Sequence, residues 1–167
     1  MAEMPKKTLV GVVGAAAAAL LFSMVPKFEG MKLIGYFDPV GIPTKCMGDT
    51  TNVVVGQRYS EAECRESLER QLIVHAEPVL KCTPVLKGHT YQLAAAVSFA
   101  YNIGASAYCG STTAKRFNTG DWRAACRAIN ESDAGHPQWV TAGGRMLPGL
   151  VLRRAEERRL CERDLSR

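Results

Sequence analysis

Apolar and polar positions recur along the chain with the spacing of helices. The segment "YSEAECRESLERQLIVHAEPVL" begins with Ser60 and carries Glu63 three residues later, a capping box that starts a helix. Cys64, Leu68 and Leu72 then recur every four residues and share one face. This pattern predicts an amphipathic helix.

Three further segments carry helical signals. "HTYQLAAAVSFAYNIGA" predicts a buried helix from Thr90 to Asn102, closed by Gly104. "GSTTAKRFNTG" and "DWRAACRAINES" predict two short helices. Pro148 lies near the first turn of a predicted final helix, which continues through "RRAEERRLC".

One region lacks the helical pattern. "GYFDPVGIPTKCMGDTTNVVVGQ", from Gly35 to Gln57, spaces glycines and prolines between short β-prone pieces and predicts a small hairpin region. A small β region followed by helices gives an α+β fold class in which helices dominate.

The N-terminal pattern differs again. Lys6 and Lys7 precede 18 uncharged residues, Thr8 to Val25. A positive flank and an apolar run predict an export signal with its N-terminus in the cytoplasm. The run is barely long enough for a hydrocarbon core of ~30 Å and is rich in glycine and alanine. No cleavage site follows it, so it predicts a weak, uncleaved anchor.

Two alternatives for this segment stay open: a buried core helix, and a signal cleaved within the alanine tract. If the segment is an anchor, leucine in place of the three alanines at 16–18 should strengthen insertion by roughly 1–2 kcal/mol. We expect no damage to the remaining domain from that change.

Composition limits the class of protein and the kinds of partner. The chain has 167 residues, 47% apolar and 22% charged, which suits one globular domain. Its net charge of +5 suits an acidic polymer, a membrane face or nucleic acid without choosing among them.

The six cysteines and three histidines show no zinc-site spacing. An even number of spread cysteines predicts disulfides in an oxidising compartment, the alternative being six buried thiols in a cytosolic protein.

Two carboxylates and a hydroxyl follow the apolar run closely. Glu29, Asp38 and Thr44 lie where a helix gives way to the predicted hairpin. Glycoside hydrolysis uses one carboxylic acid as proton donor and a second group that handles the water or the sugar cation. A less solvated Glu and a more solvated Asp would separate the two pKa values as these roles require. The alternative is a pair of surface carboxylates beside a turn.

The motif Glu-x8-Asp-x5-Thr, followed by C-x-G-x-T, resembles the catalytic region of phage lysozymes of glycoside hydrolase family 24. The resemblance continues through "VSFAYNIGASAYCGST", "FNTGDWRAAC" and "QWVTAGGRMLPGLVLRRAEERRLC", and so covers nearly everything from Glu29 to Cys161. The weak apolar N-terminus is similar to the signal-anchor-release subgroup. One departure is Asp49, where the family usually has histidine in Gly-His-Thr.

The resemblance implies a lysozyme-like fold in two parts. Residues 1–26 would form an apolar signal-anchor helix. Residues 27–167 would form the catalytic domain, with a small β-hairpin followed by a helical lobe. The implied activity is that of a muramidase, which cuts the β-1,4 bond between N-acetylmuramic acid and N-acetylglucosamine. Glu29 would be the general acid, and Asp38 and Thr44 would position the attacking water, with inversion.

The resemblance also assigns supporting residues. Tyr36 and Asn102 match sugar contacts lining the cleft, and Arg153 or Arg154 is a candidate partner for an acid near it. The implied disulfides are Cys46–Cys64, Cys82–Cys109 and Cys126–Cys161. No metal or organic cofactor is implied.

The implied partners are peptidoglycan, the host inner membrane and the host Sec export machinery, with no nucleic acid. The enzyme would be held inactive in the inner membrane, facing the periplasm, and would become soluble there after release for host lysis. Rival functions are a lytic transglycosylase or chitinase, and a membrane-anchored, disulfide-stapled cell-wall-binding module without enzymatic activity.

Overall fold

The computed structural model describes residues 2–165. Within them the chain forms mostly helices with two short hairpins. The helices are α1 (Leu9–Val13), α2 (Ala15–Glu29), α3 (Glu61–Cys82), α4 (Thr90–Ile103), α5 (Ala105–Cys109), α6 (Thr112–Asn118), α7 (Trp122–Arg127) and α8 (Pro148–Cys161), with a 3-10 turn at Pro84–Leu86. The strands are β1 (Lys32–Phe37), β2 (Pro43–Cys46), β3 (Thr141–Ala142) and β4 (Arg145–Met146).

The apolar N-terminal run forms two helices instead of one. Gly14, with φ 89°, separates α1 from α2, because this backbone conformation interrupts helical hydrogen bonding. Across residues 2–165 we find no helix long and apolar enough to cross a bilayer. The expected apolar signal-anchor helix is therefore absent from this structure. With 15 residues, α2 falls short of the ~20 that a span requires.

These two helices belong to the hydrophobic core. Their buried positions include Leu9, Val13, Ala17, Leu21 and Val25, which recur at four-residue spacing. This spacing places the side chains on one stripe where the helical geometry holds. The helix α1 packs against α3, and α2 packs against α4. In this conformation the segment packs into the core, as the alternative considered from the sequence expected, but as two helices with one buried stripe.

Residues ahead of α1 lie along α3. Lys6 and Lys7 form ion pairs with Glu66 and Glu77, at 2.7 and 2.8 Å. The side chain of Glu69 accepts a hydrogen bond from the N–H of Leu9 at 2.9 Å. This bond satisfies one of the backbone donors that every helix start leaves unpaired. We call these contacts the N-terminal docking.

The predicted hairpin region forms an antiparallel pair, β1 with β2. Its register places Tyr36 opposite Thr44 and Phe37 opposite Pro43. Asp38 therefore falls in the turn, next to the last paired residues. A second hairpin of β3 and β4, centred on Gly143 and Gly144, was not predicted.

The predicted helices of the larger lobe are present, with α4 at their centre. The capping box of Ser60 and Glu63 starts α3 as predicted. Nine consecutive residues of α4, from Gln92 to Ala100, are buried, and Gly104 follows it with φ 94°. The helix packs against α8, α2 and α3. Pro148 occupies the first turn of α8, as expected. The 3-10 turn and α5 were not predicted.

Three disulfides staple these elements. Cys46–Cys64 joins β2 to α3, Cys82–Cys109 joins the end of α3 to α5, and Cys126–Cys161 joins α7 to α8. They are the same pairs that the resemblance implied. The first links the hairpin region to the helical lobe, which limits how far the two can move apart.

Candidate active site

Glu29 is the last residue of α2, immediately before Gly30 with φ 67°. Its side chain is 21% exposed. The carboxylate oxygen Oε1 lies 2.5 Å from Nη1 of Arg153, which is itself only 4% exposed. The other oxygen, Oε2, faces Gly48, where an added Cβ would lie 3.5 Å away. One oxygen is thus held by a buried guanidinium, and the other faces Gly48 in the loop after β2.

Arg153 is itself fixed by α4 and α8. Its Nη2 donates to the backbone carbonyl of Ser98 at 3.1 Å, and its Nε donates to Glu157 at 3.0 Å. The ring of Phe28 lies 4.8 Å from the guanidinium carbon. Charge-assisted bonds to a guanidinium fork impose direction as well as energy. Arg153 therefore holds Glu29 in one orientation.

Arg154, the other candidate, lies elsewhere. It is fully buried, donates to Glu157 at 3.1 Å and stacks on Phe99 at 4.9 Å. Burial is the main cause that lowers its pKa from the ordinary arginine value. Of the two arginines, Arg153 pairs with Glu29 and Arg154 belongs to the core.

Asp38 lies in the turn between β1 and β2. Its Oδ1 accepts hydrogen bonds from the N–H groups of Val40 and Ile42, at 2.9 and 2.8 Å. Its own N–H donates to the carbonyl of Ile42 at 2.9 Å. An aspartate that bonds its own turn has a fixed side-chain orientation. The turn therefore orients this carboxylate through Oδ1.

Thr44 follows on β2 and is 4% exposed. Its hydroxyl donates to the carbonyl of Ile42 at 2.9 Å. Because the proton is used in this bond, the oxygen presents its lone pairs as an acceptor. Thr44 and Asp38 are thus coupled through Ile42, since both bond its backbone.

Tyr36 connects the hairpin carboxylate with Glu29. Partial burial, then the charges of Asp38 and Glu29, raise the pKa of its phenol. Both carboxylates therefore lie within electrostatic reach of one ring. The hairpin pairing also places Tyr36 opposite Thr44. Tyr36 therefore lies opposite Thr44 and two residues before Asp38, and the charges of Asp38 and Glu29 both act on its phenol.

Asn102 is exposed near the end of α4, at the mouth of a cavity of about 430 Å³. Leu150, which lines the same cavity, lies on α8 three residues before Arg153. Trp139, which was not predicted, also lines this cavity and packs edge-on against Phe99. A tryptophan beside a Gly-Gly turn was the available signal.

Asp49 lies outside the cleft. It is 2% exposed and accepts a hydrogen bond from the hydroxyl of Ser67 at 2.5 Å. The departure from the family's usual histidine is thus a buried carboxylate bonded to α3. Within residues 2–165 no cluster of His, Cys, Asp or Glu has an arrangement suited to a metal ion.

The family model described as "Phage lysozyme" matches residues 26–157. The chain belongs to the phage lysozyme family. A SAR-endolysin of Enterobacteria phage PA-2 is 30% identical over 168 residues, covering 93% of this chain and 94% of that protein. A SAR-endolysin of Bacteriophage PS119 is 35% identical over 136 residues, covering 80% and 75%.

Solved structures agree on the fold of this phage lysozyme. The active form of the P1 phage endolysin Lyz superposes with a TM-score of 0.75 at 22% identity, covering 92% of this chain and 86% of that one. The fold is therefore lysozyme-like α+β, mostly helical with a small β-hairpin. Membership of the family makes the protein a glycoside hydrolase of the lysozyme type, and its relatives place it among the phage endolysins.

Proposed function

We propose that this endolysin is an inverting muramidase that hydrolyses the β-1,4 bonds between N-acetylmuramic acid and N-acetylglucosamine in peptidoglycan for host lysis. The observation that supports this most directly is the setting of Glu29. It ends a helix, is bound by Arg153 through one oxygen, and directs its other oxygen toward Gly48 in the loop after the hairpin.

Glu29 acts as the general acid. Arg153 occupies Oε1, so Oε2 is the oxygen that carries the proton and donates it to the glycosidic oxygen. Gly48 leaves the space beside Oε2 without a side chain. The departing sugar therefore takes its proton from an atom whose position is fixed before the substrate binds.

Asp38 and Thr44 hold the attacking water. A water molecule can donate one hydrogen to the Asp38 carboxylate and the other to the Thr44 oxygen, whose own proton is used by Ile42. Asp38 accepts the water proton as the bond to the anomeric carbon forms. Attack by a water opposite the leaving group gives inversion at that carbon.

The cavity beside Asn102 provides a place for sugar. Asn102 offers an amide donor and acceptor, and Trp139 offers an apolar ring face next to them. Tyr36 contacts the sugar on the hairpin side, where its phenol can donate a hydrogen bond. This assignment extends the site from Glu29 along α4 and α8.

A turbidity assay on outer-membrane-permeabilised bacteria tests the assignment of Glu29. Glu29→Gln should fold normally and lose activity by about 10² to 10⁴-fold, because an amide cannot supply the proton. Glu61→Gln, at an exposed position on α3, is the matched control and should lyse cells at the wild-type rate. Lysis by Glu29→Gln at near the wild-type rate would refute the role of this residue.

Product analysis tests the reaction type. Hydrolysis gives reducing ends, and inversion gives the α-anomer first, which NMR detects before mutarotation. Anhydro-sugars in the mass spectrum would indicate a lytic transglycosylase instead. Asp38→Ala should lose most of the activity and Thr44→Ala a smaller share.

The proposed regulation uses residues 1–26 as a signal-anchor-release segment and residues 27–167 as the catalytic domain. The Sec machinery of the host exports the chain, which stays in the inner membrane facing the periplasm until release. The SAR-endolysin relatives and the uncharged run support this. In the structure α2 crosses the boundary at residue 26 and carries Glu29. The boundary between residues 26 and 27 therefore applies to the proposed tethered state, in which the first segment lies in the membrane.

The two locations of the segment exclude each other. Side chains such as Leu21 and Val25 are fully buried against the protein here, so they cannot face lipid at the same time. Glu29 reaches Arg153 through the helix to which those side chains belong. The enzyme is consequently silent while anchored and gains its general acid on release.

Fractionation of periplasm against membrane, with and without an uncoupler, tests this regulation. The wild-type chain should move from the membrane to the periplasm at full length when the potential collapses. A shortened form before any such collapse would mean an ordinary cleaved signal, with the enzymatic assignment unaffected.

A further inference from the structure

A buried carboxylate lies next to the active site and takes no part in the proposed mechanism. Asp49 accepts hydrogen bonds from the Ser67 hydroxyl at 2.5 Å, the Thr51 N–H at 2.8 Å and the Gln71 amide at 3.4 Å. The ammonium of Lys45 lies 3.9 Å from Oδ2. Asp49 is 2% exposed, so it cannot contact substrate. Its partners attach one loop to the middle of α3.

That loop also contains Gly48, the residue that Oε2 of Glu29 faces. Asp49 and Lys45 exchange backbone hydrogen bonds of 2.8 and 3.0 Å, which close the loop between them. Gly48, inside the loop with φ 83°, faces Oε2 of Glu29. The carbonyl of Met47, also inside it, accepts a hydrogen bond from the Tyr101 hydroxyl at 2.7 Å. The loop is therefore held by α3 on one side and by α4 on the other.

The charges of Glu29 and Asp49 both act on Tyr101, which bonds the loop through Met47. Burial raises the pKa of Tyr101 above its ordinary value, and the charges of Glu29 and Asp49 raise it further. One phenol thus lies within reach of both the general acid and the buried carboxylate. A displacement of the Asp49 loop would change the contacts of Tyr101 and Gly48 together.

We propose that Asp49 is a positioning residue for catalysis, which holds Gly48 in place beside Oε2 of Glu29 and so limits where the proton-donating oxygen can lie. This inference rests on the proposed role of Glu29. A carboxylate suits the task because it accepts several hydrogen bonds at once and donates none. The donors of Ser67, Thr51 and Gln71 converge on it from two separate elements.

The first test compares kcat and KM for variants at this position with soluble peptidoglycan fragments, well below each variant's unfolding temperature. Asp49→Ala should lower kcat by about tenfold or more and leave KM within about twofold, since the loop does not bind the sugar. Asp49→Asn should recover most of kcat, because its amide oxygen still accepts from Thr51 and its amide nitrogen can pair with Ser67.

A matched control separates positioning from stability. Thr83→Val removes a buried hydroxyl that bonds the Val79 carbonyl and meets Tyr108, at the far end of α3. It should lower the unfolding temperature without changing kcat. Ser67→Ala should lower kcat by at least threefold, and it tests the proposal even if Asp49→Ala fails to fold. An unchanged kcat in Ser67→Ala, with lowered stability alone, would overturn the proposal.

The decisive measurement is the Asp49→Ala change in a Glu29→Gln background, with Ser67→Ala beside it as the variant that keeps the carboxylate. If Asp49 acts through the general acid, these changes should have no further effect on the residual single-turnover rate. An equal fold-loss in both backgrounds would show that the loop acts independently of Glu29 and would overturn the proposal. Full activity of Glu29→Gln alone would instead refute the proposed function, which is a distinguishable result.

Discussion

The burial of Leu21 predicts that the apolar segment stabilises the released enzyme. Leu21 is 0% exposed, whereas its neighbour Leu20 is partly buried at the rim of a groove near Leu160. Truncation of a core leucine to alanine costs about 2–5 kcal/mol, through lost burial and the cavity left behind. We expect Leu21→Ala to cost about 3 kcal/mol and Leu20→Ala about 1 kcal/mol.

The two variants are matched in the membrane. Each removes one leucine from the same apolar run, so each weakens insertion by a similar amount. Thermal unfolding of the released, oxidised enzyme, followed by circular dichroism, measures the difference. A loss of 3 kcal/mol corresponds to a fall of roughly 6–12 °C for a chain of this size. Equal unfolding temperatures for the two variants would refute the core role of α2.

The alanines of α2 provide a second matched pair. Ala17 is 1% exposed and Ala16 is exposed, although both leucine replacements would strengthen insertion. Ala17→Leu should overpack the core at a cost of about 1–3 kcal/mol, and Ala16→Leu should be nearly neutral. The structure therefore changes the expectation that leucine throughout residues 16–18 spares the catalytic domain. Urea unfolding of the two purified variants checks it.

Three further predictions concern the surroundings of the site. Arg153→Ala should destabilise the enzyme by about 3–5 kcal/mol and nearly abolish lysis, because Glu29 loses its guanidinium partner and the buried Glu157 keeps only Arg154; denaturant unfolding and turbidity measure both. Replacing Cys46 and Cys64 together by alanine should cost about 3 kcal/mol, as their separation is 18 residues; denaturant unfolding of oxidised protein checks it. The pKa of Tyr101 is raised in the folded state, so the stabilisation that it gives is present below about pH 10 and is lost as the pH rises further. Unfolding of the wild type and of Tyr101→Phe between about pH 8 and pH 11 should therefore show the steeper loss of stability in the wild type.

The sequence predicted those helix ends that are set by residues within one turn of the end. The capping box of Ser60 and Glu63 and the glycine after α4 each act within one turn, so the bounds of α3 and α4 were predictable. The cluster around Glu29 was predictable as a set of residues through the family motif. Its geometry depends on Arg153, which lies 124 residues away along the chain, and periodicity gave no reason to prefer it to Arg154.

The placement of the N-terminal helices was not predictable in the same way. Every residue from Thr8 to Val25 is uncharged. A core-facing stripe is recognised in a sequence by the charged residues on the opposite face of the helix, and this segment has none. The four-residue spacing of Leu9, Val13, Leu21 and Val25 was present in the sequence, but lipid accepts the same side chains. Burial of Asp49 was equally hidden, since its partner Ser67 lies 18 residues away on another element.

The N-terminal docking makes the proposed release depend on the membrane potential. In the proposed anchored state Lys6 and Lys7 are cytoplasmic, and in the structure they lie on glutamates of α3, on the catalytic domain. Both charges must therefore travel outward through the bilayer, against a potential that is negative inside. This work is about 2.3 kcal/mol for each charge and each 100 mV. In the proposed regulation an energised membrane would therefore retain the enzyme through two lysines, and loss of the potential would remove that part of the barrier without any change in the protein.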